Sequence, residues 1–534
     1  MKRFLIAFLA AAVFLSGCTA KNNEQSTQLT AVQVGDANKI NKKDNKDLTL
    51  SMRTATTLNP LINEDASVDN VLRMIYEPLV GINESYKPVA KIAESWYYAE
   101  EGRELTLKLK QGLKWHDGSS ITADDVIFSL NTLRQAGENS VYKACIERVA
   151  SFSKTDEYTV AVRFTEAFSG NIYAMSFPLI SSAYYAGESV LTSSKNLMPL
   201  GNGVYAFDSY TAAKELRFKA VGNSFANKPS IQNVIVNITT DADTDVYTFS
   251  QRLTDCVVAD ETVLGKIDLD EGAKKFSYTG NYYDFLGFNF NNEIFNDKSI
   301  RKAVAFAVPV ESIIDGVYLS NAVPTNTPLN PQSWLNAVTE NMYTYNLTAA
   351  RECLENAGFN LNENEKVRAK VYSDGIKNLS FTILVNQENE ERCQAAYKIA
   401  EELNGIGFDV KTEKVSYDSY ISRLESGDFD MYMGGWELSI VPEFGFLFKT
   451  GGRGNYGDYS NVKTDELIDT MYSAVGEAAM RTAMSQLQMQ ICDEIPCVSI
   501  VFRKSALFVD ERIEGNIVPL QFNSYNGIES WYIE

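Results

Sequence analysis

Few residues of this sequence have the types and spacing that covalent catalysis or metal binding requires. His116 is its one histidine, and zinc sites and nucleophile–base pairs usually draw on histidine. His116 and Asp117 could form a general base and its orienting carboxylate, but no second histidine and no G-x-S-x-G elbow accompany them. The segment Trp115-His-Asp-Gly118 is better interpreted as a turn. We therefore predict no catalytic residue, no metal site and no enzymatic activity.

Two segments match known ligand loops only in part. Gly452 to Gly457 fits G-x-G-x-x-G, but a dinucleotide site needs a helix beginning within the motif, and here further loop residues follow. Asp241 to Asp245 starts like a calcium loop, yet Val246 takes the glycine position and Arg252 the glutamate position. We therefore predict no cofactor.

The composition narrows the function classes further. Lys and Arg number 49 against 69 Asp and Glu, a formal charge of −20, so nucleic acid is disfavoured as the main partner. A chain of 534 residues that is 45% hydrophobic can bury a sizeable core arranged in several lobes. Its 28 Tyr, 28 Phe and 5 Trp suit a pocket for a small organic ligand, because they combine apolar faces with polar edges.

The first residues have the layout of an export signal. Lys2 and Arg3 precede the apolar run Phe4 to Leu15, which is too short to span a bilayer as a helix. The run Leu15-Ser16-Gly17-Cys18 resembles the lipobox of bacterial lipoproteins, whose cysteine carries the lipid; the alternative is an ordinary cysteine in a secreted leader. We expect a signal peptide at 1–17, lipidation at Cys18, a flexible tether over 18–47 and attachment to the extracytoplasmic face of the cell membrane.

Hydrophobic periodicity predicts a mixed α/β body. A capping box, Thr122 to Asp125, opens a helix, and the alternating segment Glu104 to Lys110 is strand-like. The other predicted elements are a helix capped by Asn346 and ending at Gly358, strands at Phe381–Val385 and Val410–Val415, and a helix at Glu391–Leu403 between those strands. The six cysteines beyond Cys18 permit either disulfides or buried thiols.

Several blocks in a fixed order resemble the signature of family 5 extracellular solute-binding proteins, the peptide- and nickel-type receptors of ABC importers. The most specific block runs from Trp115 to Ser129. The other blocks are Leu58–Leu61, Ile75–Val80, Ala93–Trp96, Leu105–Leu109, Gly201–Tyr205, Phe288–Asn289, Ile300–Ala303, Ala350–Gly358 and Asp430–Trp436. Together they extend along nearly the whole chain after the tether.

The resemblance implies an α/β, two-lobed type II periplasmic-binding-protein fold of cluster C, with an extra domain inserted in the first lobe. Lobe I would comprise residues 48–86, 197–285 and 501–534, the inserted domain residues 87–196, and lobe II residues 286–500. The segments near 285 and 500 would then act as hinges, and the protein would be a monomer.

The resemblance also implies a function in transport. A ligand would bridge the two lobes, favour their closure, and be delivered unaltered to ABC permease subunits served by a cytoplasmic ATPase. The expected ligand is an oligopeptide or a similar organic solute. The alternatives are a receptor of the same fold for an opine, an oligosaccharide or chelated nickel, a carboxylate-based glycosidase, and a surface receptor that signals or adheres without transport.

Candidate ligand-binding residues follow from positions in the family. Gly435 and Trp436 occupy the place where a lobe II strand meets ligand backbone, Glu77 follows a lobe I strand that faces the cleft, and Phe285 and Asn289 lie at the lobe crossing. Each also has a structural interpretation: Trp436 as a core residue, Asn289 as a tie at the hinge, and Glu77 as a surface charge.

The sequence departs from the family at positions that bear on ligand choice. Peptide receptors of this class commonly have an aspartate where this chain has Ser439, and that aspartate would pair with a free α-ammonium group. Glu437 could supply the missing charge if its side chain turned inward. Recognition of a peptide amino terminus therefore stays open.

Overall fold

The structure, a computed structural model, describes residues 46–223, 225–260, 262–267, 272–361, 366–373 and 375–534. The predicted signal peptide, Cys18 and all of the tether before Lys46 lie outside the described residues. Among those that are described, no helix is long and apolar enough to cross a bilayer.

Strands and helices are interspersed along the chain. The strands before residue 240 are β1 (Leu48–Arg53), β2 (Val80–Ile82), β3 (Pro88–Ala90), β4 (Ala93–Ala99), β5 (Glu104–Leu109), β6 (Val149–Asp156), β7 (Thr159–Phe164), β8 (Tyr205–Thr211), β9 (Glu215–Ala220) and β10 (Asn233–Thr239). Those after it are β11 (Cys256–Ala259), β12 (Ala273–Phe288), β13 (Ala322–Pro324), β14 (Ala369–Tyr372), β15 (Gly375–Asn378), β16 (Ser380–Asn386), β17 (Asp409–Val415), β18 (Met431–Glu437), β19 (Cys497–Asp510), β20 (Ile513–Glu514) and β21 (Tyr532–Ile533).

The helices are mostly short. They are α1 (Ala66–Leu72), α2 (Ala123–Gln135), α3 (Ala144–Glu147), α4 (Ala242–Ser250), α5 (Lys298–Ala307), α6 (Val310–Gly316), α7 (Leu347–Asn356), α8 (Glu390–Gly405), α9 (Tyr417–Ser426), α10 (Gly445–Phe448), α11 (Val462–Ser473) and α12 (Glu477–Glu494). A 3-10 helix at Ser169–Met175 also contributes to the site described below.

The predicted local signals are confirmed where they can be compared. Thr122 caps α2, and the Asp125 carboxylate accepts a hydrogen bond from the Thr122 backbone N–H at 2.9 Å, so the capping box is complete. Asn346 caps α7 by accepting from two backbone N–H groups of the first turn. The predicted helix at 391–403 is α8, and its flanking strands are β16 and β17, which pair in parallel.

Two motifs that were set aside have structural roles. Asp241 caps α4 by accepting from the Thr244 N–H at 2.7 Å, and Asp245 pairs with Arg53 at 2.6 Å. His116 Nε2 lies 2.9 Å from the carbonyl oxygen of Gly203, and burial lowers the pKa of this imidazole.

Three larger sheets organise the chain. β1, β10, β9 and β8 form one four-stranded sheet, in which β1 and β10 are parallel, and β4, β5, β7 and β6 form an antiparallel one. The largest sheet has the order β11-β19-β12-β18-β16-β17, with β13 added on β19. One buried apolar cluster joins the first two sheets, and three others pack on the largest sheet.

The long strands β12 and β19 pair antiparallel and run through the predicted lobe boundaries at 285 and 500. Their pairing shifts register twice, between Thr279 and Tyr283 and between Asp284 and Phe285. A register shift of this kind bends a strand locally and increases its twist. The domain boundaries themselves stay a prediction.

The cysteines among the described residues form no disulfide bond with one another. Burial raises the pKa of the Cys492 and Cys497 thiols to about 12. Of the two states that the sequence permits, Cys492 and Cys497 are therefore buried thiols.

Candidate functional site

A cavity of about 560 Å³ opens between distant parts of the chain. Its walls come from α1 and the residues after it, from segment 141–148, from the 3-10 helix Ser169–Met175, from segment 439–443 and from the C-terminal residues 522–526. The volume lies within the range of roughly 300–1,000 Å³ that is typical of small-molecule sites. Aromatic and aliphatic side chains form much of the wall, including Tyr76, Phe168, Tyr173, Val441 and Phe522.

One end of the cavity carries a buried ion pair. Asp69 and Arg73 lie four residues apart on and just after α1, so their side chains share a face, and Arg73 Nε is 2.9 Å from Asp69 Oδ2. The Arg73 guanidinium lies over the Tyr142 ring, 5.7 Å from its centroid. Burial raises the pKa of Tyr142 well above its usual value, so this phenol stays protonated.

Glu77 lines the same cavity, and both oxygens of its carboxylate have a partner. Its Oε2 is 2.9 Å from the Lys91 ammonium, and its Oε1 accepts from Asn223 Nδ2 at 3.2 Å. Asn202 Oδ1 accepts from the Glu77 backbone N–H at 2.9 Å, which fixes the chain after α1. A second, polar pocket of about 120 Å³ also has Glu77 and Lys91 in its lining.

The segment after β18 contributes a further acid to the cavity lining, Glu443. The Glu443 carboxylate accepts hydrogen bonds from the Gly445 N–H at 2.7 Å and from the Tyr472 hydroxyl of α11. Burial raises the pKa of Glu443. Asn171, on the 3-10 helix, lines this cavity too and is only 2% exposed.

The residues that follow β18 divide between the cavity and its surroundings. Ser439 is exposed and lines the cavity, and its hydroxyl accepts from the Val441 N–H at 3.2 Å. Glu437 is also exposed, but it lies outside the cavity lining and accepts from the Tyr282 hydroxyl at 3.2 Å. Trp436 stacks on Tyr456, with 6.2 Å between ring centroids, at the edge of an aromatic cluster.

The three remaining candidates lie in the largest sheet or beside it. Gly435, on β18, is covered by a guanidinium group, because a Cβ there would come 1.8 Å from Arg392 Nη2. Phe285 is buried and stacks on Tyr283. Asn289 is buried and donates to the carbonyl oxygens of Gly427 and Phe429 at 3.0 and 2.7 Å.

The cavity thus brings together Glu77 and Ser439 of the seven candidates. For Phe285, Asn289, Gly435, Trp436 and Glu437, ligand contact stays a prediction outside this cavity. Four lining residues were not predicted from the sequence: Asp69, Arg73, Asn171 and Glu443. The i, i+4 spacing of Asp69 and Arg73 is a recognisable signal, whereas no pattern indicates the other two.

In the described part of the chain, no three His, Cys, Asp or Glu side chains converge as a metal site would require.

The structure thus combines α/β sheets with a cavity of small-molecule size. Residues 87–458 match the family model described as bacterial extracellular solute-binding proteins, family 5 Middle. The chain belongs to this family, as the sequence blocks predicted, and has its type II periplasmic-binding-protein fold.

The oligopeptide-binding protein AppA of Bacillus subtilis is 25% identical over 553 aligned residues, covering 99% of this chain and 98% of that protein. The crystal structure of a nickel ABC transporter from Bacillus halodurans matches with a TM-score of 0.78 at 19% identity, covering 91% of this chain and 99% of that one. The structure of AppA from Bacillus subtilis with a nonapeptide matches with a TM-score of 0.57 at 23% identity, covering the same shares.

Proposed function

We propose that this chain is the extracytoplasmic substrate-binding component of an ABC importer, which captures an oligopeptide or a similar organic solute and delivers it to a membrane permease. The observation that carries the proposal is the shared cavity. Its walls include Glu77 from the predicted lobe I, Asn171 from the predicted inserted domain and Ser439 from the predicted lobe II.

Such a cavity suits capture by closure. A ligand that contacts side chains on both sides gains contacts that are available only when the sides are close together, so its binding shifts the population toward the closed state. The side chains described here hold and orient a ligand. No bond of the ligand is made or broken in this mechanism, so we propose a binding protein and not an enzyme.

The ligand class is supported by relatives. AppA of Bacillus subtilis is named as an oligopeptide-binding protein, and its solved structure holds a nonapeptide. A mixed wall of aromatic and charged side chains also suits a peptide, whose side chains vary while its backbone does not. A non-peptide solute of similar size is the alternative, and chelated nickel belongs among the candidates because one structural neighbour is titled a nickel transporter.

Ligand binding can be tested by thermal unfolding. A protein digest, opines, oligosaccharides and chelated nickel are added in separate experiments, and a ligand at 100 times its dissociation constant should stabilise the fold by about 2.7 kcal/mol. Ser439→Trp should abolish the shift, since its exposed side chain borders the cavity; Ser153→Trp, on β6 away from the cavity, should not. If no class of solute raises the unfolding midpoint, solute capture is wrong.

We further propose that the mature chain is a monomer, begins at a lipid-bearing Cys18 and is held at the extracytoplasmic face of the cell membrane. The lipobox-like run Leu15 to Cys18 supports lipidation and membrane attachment. Cys18→Ser should release the protein from the membrane fraction and remove incorporation of labelled palmitate. Cys145→Ser is the matched control and should leave both unchanged.

A further inference from the structure

The 3-10 helix Ser169–Met175 contacts the predicted lobe II at two points. It belongs to the predicted inserted domain and lines the cavity. At its start, the Ser169 hydroxyl donates to the carbonyl oxygen of Met471, in the last turn of α11, at 2.9 Å. Further along, the Tyr173 hydroxyl accepts from Trp334 Nε1 at 3.0 Å. One element of the cavity wall therefore carries two separate contacts between the predicted domains.

The contact at Trp334 lies beside the crossing strand β12. The segment that carries Trp334 also carries Asn330, whose Nδ2 donates to the Gly280 carbonyl oxygen at 3.2 Å. The hydroxyl of Tyr86, which accepts from the same amide, donates to the Thr279 carbonyl oxygen at 3.2 Å. Thr279 and Gly280 lie where the pairing of β12 with β19 shifts register. A contact at such a bend moves little when two parts rotate about it.

The contact at Ser169 has no such link to the crossing strands. Beside it, Phe168 meets Tyr472 edge to face with 5.0 Å between ring centroids, and a Cβ on Gly170 would come 2.8 Å from Val441 Cγ1. Within the described part of the chain, neither Ser169 nor Phe168 forms a hydrogen bond or ring contact with β12 or β19. Rotation about the crossing strands would separate these surfaces, so their contacts stabilise only the state in which they meet.

We propose that the Ser169–Met471 hydrogen bond and the packing of Phe168 on Tyr472 form a latch that stabilises the closed state of the cavity. The inference rests on the proposed function and concerns how that site is regulated. Ser169 is only 3% exposed and is not part of the cavity lining, so it acts as a positioning residue and not as a ligand contact. A weaker latch lowers the population of the closed state and with it the apparent affinity for the ligand.

Removal of one hydroxyl tests the latch. Ser169→Ala deletes the donor to Met471, and the affinity for a peptide captured from a casein digest should fall about fivefold, measured by calorimetry. The latch is open in the ligand-free protein, so the urea midpoint without peptide should equal that of the wild type. With saturating peptide, the variant should unfold at lower urea than the wild type does.

Two substitutions serve as controls. Tyr98→Phe removes the hydrogen bond from the Tyr98 hydroxyl to the Ser169 carbonyl oxygen, at 3.3 Å, which lies wholly within the predicted inserted domain. Trp334→Phe removes the donor to Tyr173 near the crossing strands. Both contacts are present in the open and the closed state, so each variant should bind the peptide as tightly as the wild type and lose the same stability with and without it.

X-ray scattering of the wild type measures opening without any variant. The ligand-free protein should have a larger radius of gyration than the peptide-saturated protein, and equal radii would contradict the latch.

The outcomes separate the two proposals. If the wild type binds no peptide, the peptide function is wrong and the latch that rests on it is wrong as well. If the wild type binds peptide but Ser169→Ala binds it as tightly, or loses as much stability without peptide as with it, the latch is wrong while peptide binding stands.

Discussion

The hydrogen bonding of buried polar groups is complete at one position in the crossing strands β12 and β19 and incomplete at one position in the cavity wall. On β12, Asp284 is 0% exposed, and both of its oxygens are satisfied: Oδ1 by Arg392 at 2.7 Å, and Oδ2 by Arg503 at 2.7 Å and the Tyr318 hydroxyl at 2.9 Å. In the cavity wall, Asn171 Oδ1 has no partner among the described residues. Complete pairing is typical of a group that serves the fold, whereas a buried acceptor without a donor marks a place where the hydrogen bonding is incomplete.

The position of the paired cluster adds to this contrast. Asp284 lies where the register of β12 against β19 shifts, beside the predicted lobe boundary. Arg392 reaches it from α8 and Arg503 from β19. One carboxylate therefore ties three elements together at the point where the two long strands bend.

The largest expected effect comes from the paired region. Asp284→Asn leaves two buried guanidinium groups without their counter-charge, so the free energy of unfolding should fall by about 3–5 kcal/mol, measured by urea unfolding. Glu391→Gln is the control, because Glu391 is 46% exposed and 3.9 Å from Arg503, and it should change stability by less than about 1 kcal/mol. Equal effects of the two substitutions would remove the distinction between the regions.

Asn289 gives the next effect and tests a candidate site residue. Asn289→Ala removes the donor to Gly427 and Phe429 and leaves their carbonyl oxygens without it, so stability should fall by about 1–3 kcal/mol. Ligand affinity, measured by calorimetry well below the unfolding midpoint, should not change. A tenfold loss of affinity at unchanged stability would instead make Asn289 a ligand contact.

The pH dependence of stability should include a contribution from Glu443. Burial raises the pKa of this carboxyl, while the positive charge of Arg148 lowers it. Because the folded state binds this proton more tightly than the unfolded state does, the free energy of unfolding should gain a contribution as the pH falls through the raised pKa, measured by urea unfolding at a series of pH values.

The same titration on Glu443→Gln provides the control, because this variant cannot take up the proton. Identical pH profiles for the two proteins would show that Glu443 does not contribute.

Glu77 should give the smallest change in stability. Its partner Lys91 is 37% exposed, and such pairs contribute about 0–1 kcal/mol. Glu77→Gln should therefore shift the free energy of unfolding by less than about 1 kcal/mol, measured by the same urea titration, while altering ligand affinity. A loss of several kcal/mol would place Glu77 with the paired, structural group.

Local sequence signals were sufficient for much of the fold. The capping box at Thr122 and the cap at Asn346 act within one helical turn, so their geometry follows from neighbouring residues alone. The lobed arrangement came from the resemblance, because pairing of strands as distant as β12 and β19 leaves no local periodicity.

The residues of the cavity were harder to predict from the sequence than the helices and strands were. Asn171 lies on a 3-10 helix and Glu443 in an irregular segment, where no hydrophobic period marks the inward face. Their two segments pack together at Gly170 and Val441, a contact between residues distant in the sequence. Glu77 and Ser439 were proposed from positions in the family, not from their chemistry.

Gly435 shows how one absent side chain links two positions of the sequence. A Cβ at 435 would lie 1.8 Å from Arg392 Nη2 and 2.4 Å from Asp284 Oδ1, so the guanidinium can cross β18 only over a glycine. A chain that replaced this glycine would also have to shorten the residue at 392, and would then need another cation for the aspartate. Among related chains, positions 284, 392 and 435 should consequently vary together or not at all.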